Sequence, residues 1–400
     1  MKAPRILVLA PLLARSSGGL ASAVSSLSQV LCSAGWGLQV LTTDVGVSRE
    51  EEREPLDSRA GCTVFPVASG WNRWMYRSRE LAGWVRNHVR DFDLLDIQGV
   101  WLEVAVSAAR AAFDSGVPYV FTPHGQASRQ DRKKKFLKKF LFQKLLLEQA
   151  WRRAAAIRFL VEEEKEHCVL PPHPGSVVIP NFVRIPSASR EEQEHGAAGM
   201  AWDGPVILFL GRISPQKGVL EILGAFDRVY RTRPDAHLVV AGPDHGSYGA
   251  LARAQATRMA GKAHVHFVGP VYGAEKWALL ASASLFVTLS RNEGLPMAVI
   301  EALGAGVPIL ITAEANVRAA VEVGAGCLAR LEDLDGVAGR MLEMLEDANL
   351  RERMSRNARR FFAERYSWEA AGGELLSFYE RLSRSTLGSG KSDGKRSRAE

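Results

Sequence analysis

At 400 residues the chain exceeds the size at which one hydrophobic core keeps growing, so two domains of roughly 150 to 200 residues are the first expectation. Its 46% apolar and 24% charged composition excludes a disordered or fibrous body. Four scattered cysteines, Cys32, Cys62, Cys168 and Cys327, form no CxxC pair; they exclude a disulfide scaffold or zinc ribbon and fit a reducing compartment.

The opening MKAPRILVLAPLLARSSGG has the basic residue and apolar run of a signal peptide. The run is short, however, and leads into a glycine turn and a periodic helix without an A-x-A context, so Ile6 to Ala10 reads as a buried strand. Apolar residues at helical spacing from Leu20 to Ala34, then GWGLQVLTTD, complete a β-α-β unit. Strand-like runs follow at Thr63 to Val67, Leu94 to Gln98, Tyr119 to Thr122 and Val177 to Pro180. Between them, Arg132 to Lys144 carries seven basic residues and no acid. Phe136, Leu137, Phe140 and Leu141 fall on one side of a helix there, with Lys135, Lys138 and Lys139 opposite. Both an interfacial helix and a solvated face over a core stripe fit that pattern.

The polar, glycine-rich stretch from Val183 to Gly204 reads as a linker. VILFLG, HLVVAG, VHFVG, LFVTLS and VPILIT then repeat the alternation of strand and helix. The fold class expected is α/β, two Rossmann-like doubly wound parallel-sheet domains facing a cleft. The expected limits are 1–185 for the first domain, 186–203 for the linker, 204–365 for the second domain, 366–383 for a C-terminal helix crossing back to the first, and 384–400 for a disordered tail. No window of about 18 uncharged apolar residues occurs, so no transmembrane helix is expected.

Ligands of such sheets bind beyond the carboxyl ends of the strands, where two segments stand out. GRISPQKG, Gly211 to Gly218, puts two cations, Arg212 and Lys217, in a turn directly after a strand, able to aim a fork and a point charge at one diphosphate. A solvated loop with a helix cap is the plain alternative. SRNEGLPMAVIEALGAGVPI, Ser290 to Ile309, ends a strand, turns at Glu293 and Gly294, and starts an apolar helix with Pro296 suited to its first position. Such a helix start offers free N–H groups and a positive dipole end to an anion. Glu301 is a charge on an otherwise apolar helix and needs a partner; ribose hydroxyls or a structural arginine would serve.

GRISPQKG, the E-x7-E pattern of EGLPMAVIE, and EALGAGVP resemble glycosyltransferase family 4, a retaining group with the GT-B fold. The glycine loop at Gly18 and Gly19 and TPHG at Thr122 to Gly125 are similar to the family's N-terminal motifs, and the stretch from TPHG to VIPN resembles bacterial members that build lipopolysaccharide, capsule or exopolysaccharide. The resemblance implies a transferase moving a sugar from a nucleotide-diphosphate sugar to a glycan or polyprenyl-linked glycan hydroxyl. It implies that Arg212 and Lys217 hold the diphosphate, that Glu301 binds the ribose, and that the amides of Gly294, Leu295 and Met297 line the approach to the phosphates. His124 and Glu293 become the candidate catalytic residues beside the donor sugar. Gly18 and Gly19 would admit phosphate or acceptor close to the backbone. No metal or other cofactor is expected.

Departures from the family pattern fall in the first domain and near its counterpart's last strand. DLLDIQGVW puts Asp96 and Gln98 where related sequences carry histidines, Asn181 is followed by Phe182 rather than glycine, and Glu314 to Val317 replace a glycine pair. The triplets Asp91 to Asp93 and Asp333 to Asp335 do not read as metal sites, and His167 and His173 lack ligand partners at useful spacing. No G-x-G-x-x-G supports a nicotinamide enzyme, and no stacking aromatics or recognition module supports a nucleic-acid partner. An epimerase or hydrolase on the same fold and a catalytically silent sugar-nucleotide binder stay open. A cytoplasmic location is expected, with an anionic membrane surface as a further partner for Arg132 to Lys144.

Overall fold

The computed structural model describes residues 3–15, 18–45, 53, 55–67, 77–128, 136–186 and 202–389. They form two units, Met1–Asn181 with Ala371–Glu400, and Phe182–Ala370.

In the first unit seven parallel strands lie in the order β3-β2-β1-β4-β5-β6-β7. They are β1 Arg5–Leu9, β2 Gly37–Thr43, β3 Gly61–Phe65, β4 Leu94–Gln98, β5 Tyr119–Thr122, β6 Ala156–Phe159 and β7 Ser176–Val178. Strands β1, β4, β5 and β6 are buried almost throughout because helices cover both faces of a parallel sheet, so neither set of alternating side chains meets water. Leu7, Leu9, Ile97, Phe121, Trp151 and Phe159 make up part of that core. The buried polar ends inside it are satisfied: Tyr119 donates its hydroxyl to the Ala150 carbonyl at 2.6 Å, and Trp151 its indole N–H to that of Pro171 at 2.8 Å.

The second unit holds six parallel strands in the order β10-β9-β8-β11-β12-β13. These are β8 Val206–Leu210, β9 His237–Ala241, β10 Val265–Gly269, β11 Leu285–Thr288, β12 Ile309–Thr312 and β13 Gly326–Ala329. In both sheets the chain starts in the middle, winds outward, and returns to the other side, giving a topological switch between β1 and β4 and again between β8 and β11. Loops diverge to opposite faces at such a point and leave a crevice at the carboxyl ends.

Several expected limits move. β6 and β13 are additional strands, and β7 ends at Val178 rather than at Pro180. Phe182 and Val183 belong to the second unit, not to a first domain running to 185: Phe182 packs edge-on to Trp368 at 6.4 Å, and Val183 donates to the Tyr366 carbonyl at 3.0 Å. The last helix spans Gly373–Ser389, so residues 384–389, expected as tail, continue it. It belongs to the first unit, where Tyr379 is fully buried against Trp36. Most of the expected linker, 187–201, and the tail from 390 lie outside the described residues. Among those described, no helix is long and apolar enough to cross a membrane.

Candidate active site

The loops after β8 and β11 meet at the switch point of the second unit, and backbone groups stitch them together. Arg291 donates its N–H to the Gln216 carbonyl at 2.8 Å, and Gln216 returns its side-chain amide to the Asn292 carbonyl at 2.5 Å. Arg291 also reaches the Pro215 carbonyl at 3.2 Å and Glu221 at 2.5 Å. Gly218 makes the turn possible. Its φ of 67° is left-handed, and a Cβ there would run into the Leu289 carbonyl, so both conformation and space select glycine.

The stitching brings Lys217 and Glu293 into one ion pair, Nζ to Oε1 2.6 Å, with the side chains only 17% and 13% exposed. The pair is off the angle of a hydrogen bond, and Glu293 Oε1 is left without one. Arg212, half-buried on the same loop, makes no ion pair among the described residues. A third loop supports this side: Asn316, in the left-handed region at φ 57°, donates to the Glu293 carbonyl at 2.6 Å, and Glu293 donates its N–H to the Glu314 carbonyl at 3.0 Å. The segment expected to be altered at Glu314 to Val317 therefore anchors Glu293 through its backbone.

Beyond Glu293 the Met297–Ala305 helix begins after Pro296, which is its cap and not its first residue, and no side chain caps it. The N–H groups of Gly294, Leu295 and Met297 donate to no backbone carbonyl among the described residues. Those donors and the helix dipole leave a positive end beyond Glu293, the partner of Lys217. Glu301 is buried at 5% exposure on this helix, and its partner is Lys276, Nζ to Oε1 2.6 Å, rather than an arginine. Lys276 sits on the Gly273–Ser282 helix with its ammonium 5.6 Å from the Trp277 ring centre. Nothing in AEKW singles it out by sequence, since only the fold brings it to Glu301.

In the first unit, His124 follows β5 with φ 54°, a conformation rare outside glycine, and Gly125 continues it at φ 77°. Its Nε2 lies 2.5 Å from Gln98 Oε1 at the end of β4. Gln98 in turn donates its amide to Asp96 Oδ2 at 2.5 Å, and Asp96 also accepts from the hydroxyls of Tyr379 at 2.6 Å and Thr122 at 3.3 Å. Burial, helped by the nearby Arg158 charge, lowers His124 to about 3, so the imidazole is neutral at ordinary pH. Burial raises the Asp96 carboxyl above its usual value, opposed by its hydrogen bonds and Arg158. It raises Glu164 likewise, against bonds from the amides of Leu160 and Gly125. Glu164 thus holds the backbone one residue beyond His124. Glu164 sits in EEEKE, which reads as a solvated acidic turn and hides one buried member.

Asn181 accepts from the buried Arg158 at 3.2 Å, so it has a structural partner. Gly19 starts the Gly19–Ser33 helix with Gly18 as its cap. The first Asp triplet binds the β1 backbone, Asp93 Oδ2 accepting from the Arg5 N–H at 2.7 Å, and in the second Asp333 caps a helix by accepting from Gly336 at 2.8 Å. Among the described residues no cluster of three histidine, cysteine or acidic groups could hold a metal. Of the basic stretch, 132–135 lie outside the described residues; Leu137 and Leu141 are 67% and 48% exposed, so the apolar side faces solvent rather than the core.

Two doubly wound parallel sheets, the second with an uncapped helix start and a Lys–Glu pair at its switch point, define a two-unit α/β class. Residues 18–181 match the model described as Glycosyl transferase 4-like domain, and residues 191–361 that of Glycosyl transferases group 1. The chain belongs to the GT-B glycosyltransferases of this group. It is 26% identical over 206 residues, 51% of its length and 54% of the relative's, to the GDP-mannose:cellobiosyl-diphosphopolyprenol alpha-mannosyltransferase of Xanthomonas oryzae pv. oryzae. It is 30% identical over 212 residues, 52% of each chain, to the phosphatidyl-myo-inositol mannosyltransferase of Mycolicibacterium smegmatis. The matches span about half the length of these curated relatives. The crystal structure of Anabaena HepE in complex with UDP and glucose superposes with a TM-score of 0.76 at 17% identity, over 94% of this chain and 100% of that one.

Proposed function

We propose that the chain transfers a sugar from a nucleotide-diphosphate sugar to a hydroxyl of a glycan or polyprenyl-linked glycan, with retention at the anomeric carbon, in cell-surface polysaccharide or lipopolysaccharide synthesis. The observation that carries this is the Lys217–Glu293 pair beside the uncapped start of the Met297–Ala305 helix; with Arg212 of the same loop, these groups suit a diphosphate that gathers charge as the glycosidic bond breaks. Arg212 and Lys217 hold that diphosphate, with the amides of Gly294, Leu295 and Met297 beside it. The phosphate takes Lys217 from Glu293, freeing this carboxylate for the donor sugar. Glu301 accepts from the ribose hydroxyls in place of, or along with, Lys276. His124 acts in the transfer step, and Gly18 and Gly19 leave room for phosphate or acceptor. An oxocarbenium-like centre forms, and the leaving phosphate helps take the acceptor proton on the same face.

Because two cations and a helix end supply the positive charge, no metal is required, and transfer survives EDTA. All four cysteines are free, in keeping with work on the cytoplasmic side. The solvent-facing Leu137, Leu141 and Leu145 next to Lys138 and Lys139 suit a peripheral hold on an anionic membrane. Absence of binding to anionic vesicles at low salt would remove that part.

Radiolabelled UDP-, GDP- and dTDP-sugars incubated with the protein and a membrane extract test the activity. Labelled lipid or glycan, with the donor's anomeric configuration kept, is expected. Free sugar or an isomer alone would replace the proposal by a hydrolase or epimerase, and binding without turnover by a silent binder.

A further inference from the structure

His124 has the backbone cost of a left-handed non-glycine residue and is nonetheless held from two sides, its ring by Gln98 and the amide of the next residue by Glu164. Gln98 cannot turn round: its amide N–H is taken by Asp96 Oδ2, so its carbonyl must face His124 Nε2. Asp96 cannot move either, because Tyr379 and Thr122 donate to it. An amide carbonyl only accepts, so the proton on the ring belongs on Nε2. His124 Nδ1 then carries the lone pair; the ring's hydrogen bond among the described residues is the one at Nε2, and His124 is only partly buried, which leaves Nδ1 open to a ligand.

We propose that Asp96 and Gln98, braced by Tyr379 of the last helix, form a relay that sets His124 as an Nε2–H imidazole whose bare Nδ1 accepts a hydrogen bond from a sugar hydroxyl. Gln98, Asp96 and Tyr379 are positioning residues in this scheme. The proposal rests on the assignment of His124 to the transfer step. The relay also explains why two residues that break the family pattern, Asp96 and Gln98, are buried to 0% and 2% exposure. They replace two ring side chains by a carboxylate and an amide that together leave His124 one tautomer. The ionisable groups around it, Asp96, Glu164, Arg158 and Tyr379, are all buried, and none presents a proton donor to Nδ1.

The test is the tautomer of His124 in the full chain labelled with ¹⁵N-histidine, assigned with His124→Gln. Nε2 protonated and Nδ1 bare from about pH 5 to 8 is expected. Gln98→Met, which keeps volume but loses the amide, should let the Nδ1–H form appear. It should lower kcat about tenfold with UDP-glucose or GDP-mannose as donor while leaving the Kd for UDP and GDP within twofold. Gln98→Glu, whose carboxyl takes up a proton to replace the N–H given to Asp96 while its other oxygen still accepts from Nε2, should keep the tautomer. A wild-type ring protonated on Nδ1, or an unchanged tautomer in Gln98→Met, overturns the relay. If Gln98→Met does not fold, Tyr379→Phe and the wild-type spectrum decide by the same criterion. Should the spectra come out as expected while His124→Ala transfers normally, the assignment of His124 to transfer fails and the relay stands.

Discussion

The loops of the second unit and the His124 network of the first solve opposite problems. Around Lys217 and Glu301 the polar groups are ionic pairs with side chains 6 to 20% exposed, close enough to water and ligand to be exchanged. Around His124 they are a chain of hydrogen bonds that runs back into the interior, where Asp96 and Gln98 are buried, behind a partly buried imidazole held neutral. A charged ligand is best met by charges that can change partner, since each Lys–Glu pair keeps a buried carboxylate compensated until an anion arrives. A group that must stay in one protonation state and one orientation is best met by neighbours that cannot rearrange.

The two regions should fail differently when broken. The largest effect is expected from His124→Ala, which should lower the transfer rate by about 10² to 10³-fold, the size of one lost transition-state hydrogen bond, and leave nucleotide affinity unchanged. Because its pKa is lowered, the ring stays neutral as pH falls from 8 to 5, so the wild-type rate should show no acid limb near pH 6.5 from this residue. Lys217→Ala should do the reverse and weaken UDP or GDP binding by roughly 2 kcal/mol, about 30-fold, read by calorimetry. Equal losses of nucleotide affinity in the two variants would abolish the distinction. Gly218→Ala should cost about 1 to 3 kcal/mol of stability through left-handed strain and the Leu289 carbonyl, lowering the melting temperature of the second unit. Smallest should be Lys276→Met, about 1 kcal/mol after allowance for its partial exposure, with nucleoside affinity falling more than affinity for pyrophosphate alone. A fall equal for both would detach Glu301 from the ribose.

Much of this was legible in advance because parallel strands buried on both faces announce themselves as apolar runs, and glycine turns mark their ends. VILFL and HLVVA needed no tertiary information. AIRF at β6 did not read as a strand because Arg158 interrupts it, and its charge makes sense only beside the carbonyls of Ile179 and Pro180 to which it donates. GCLA at β13 was too short and too weakly apolar to stand out. Similarly, Glu301 declared its need for a partner through its apolar surroundings, but the choice between arginine, ribose and lysine lay beyond local pattern.

By itself, the sequence determined the two α/β units, the turn conformations that demand glycine, and the presence of cations and a helix start after particular strands, since all of these depend on neighbours a few residues away. Only the tertiary structure decided that Lys217 pairs with Glu293 and Lys276 with Glu301, and that Tyr379 closes a chain through Asp96 and Gln98 to His124. Apart from the Gln98–Asp96 bond within one strand, those contacts join residues 25 to 283 positions apart, brought together by sheet order rather than by spacing.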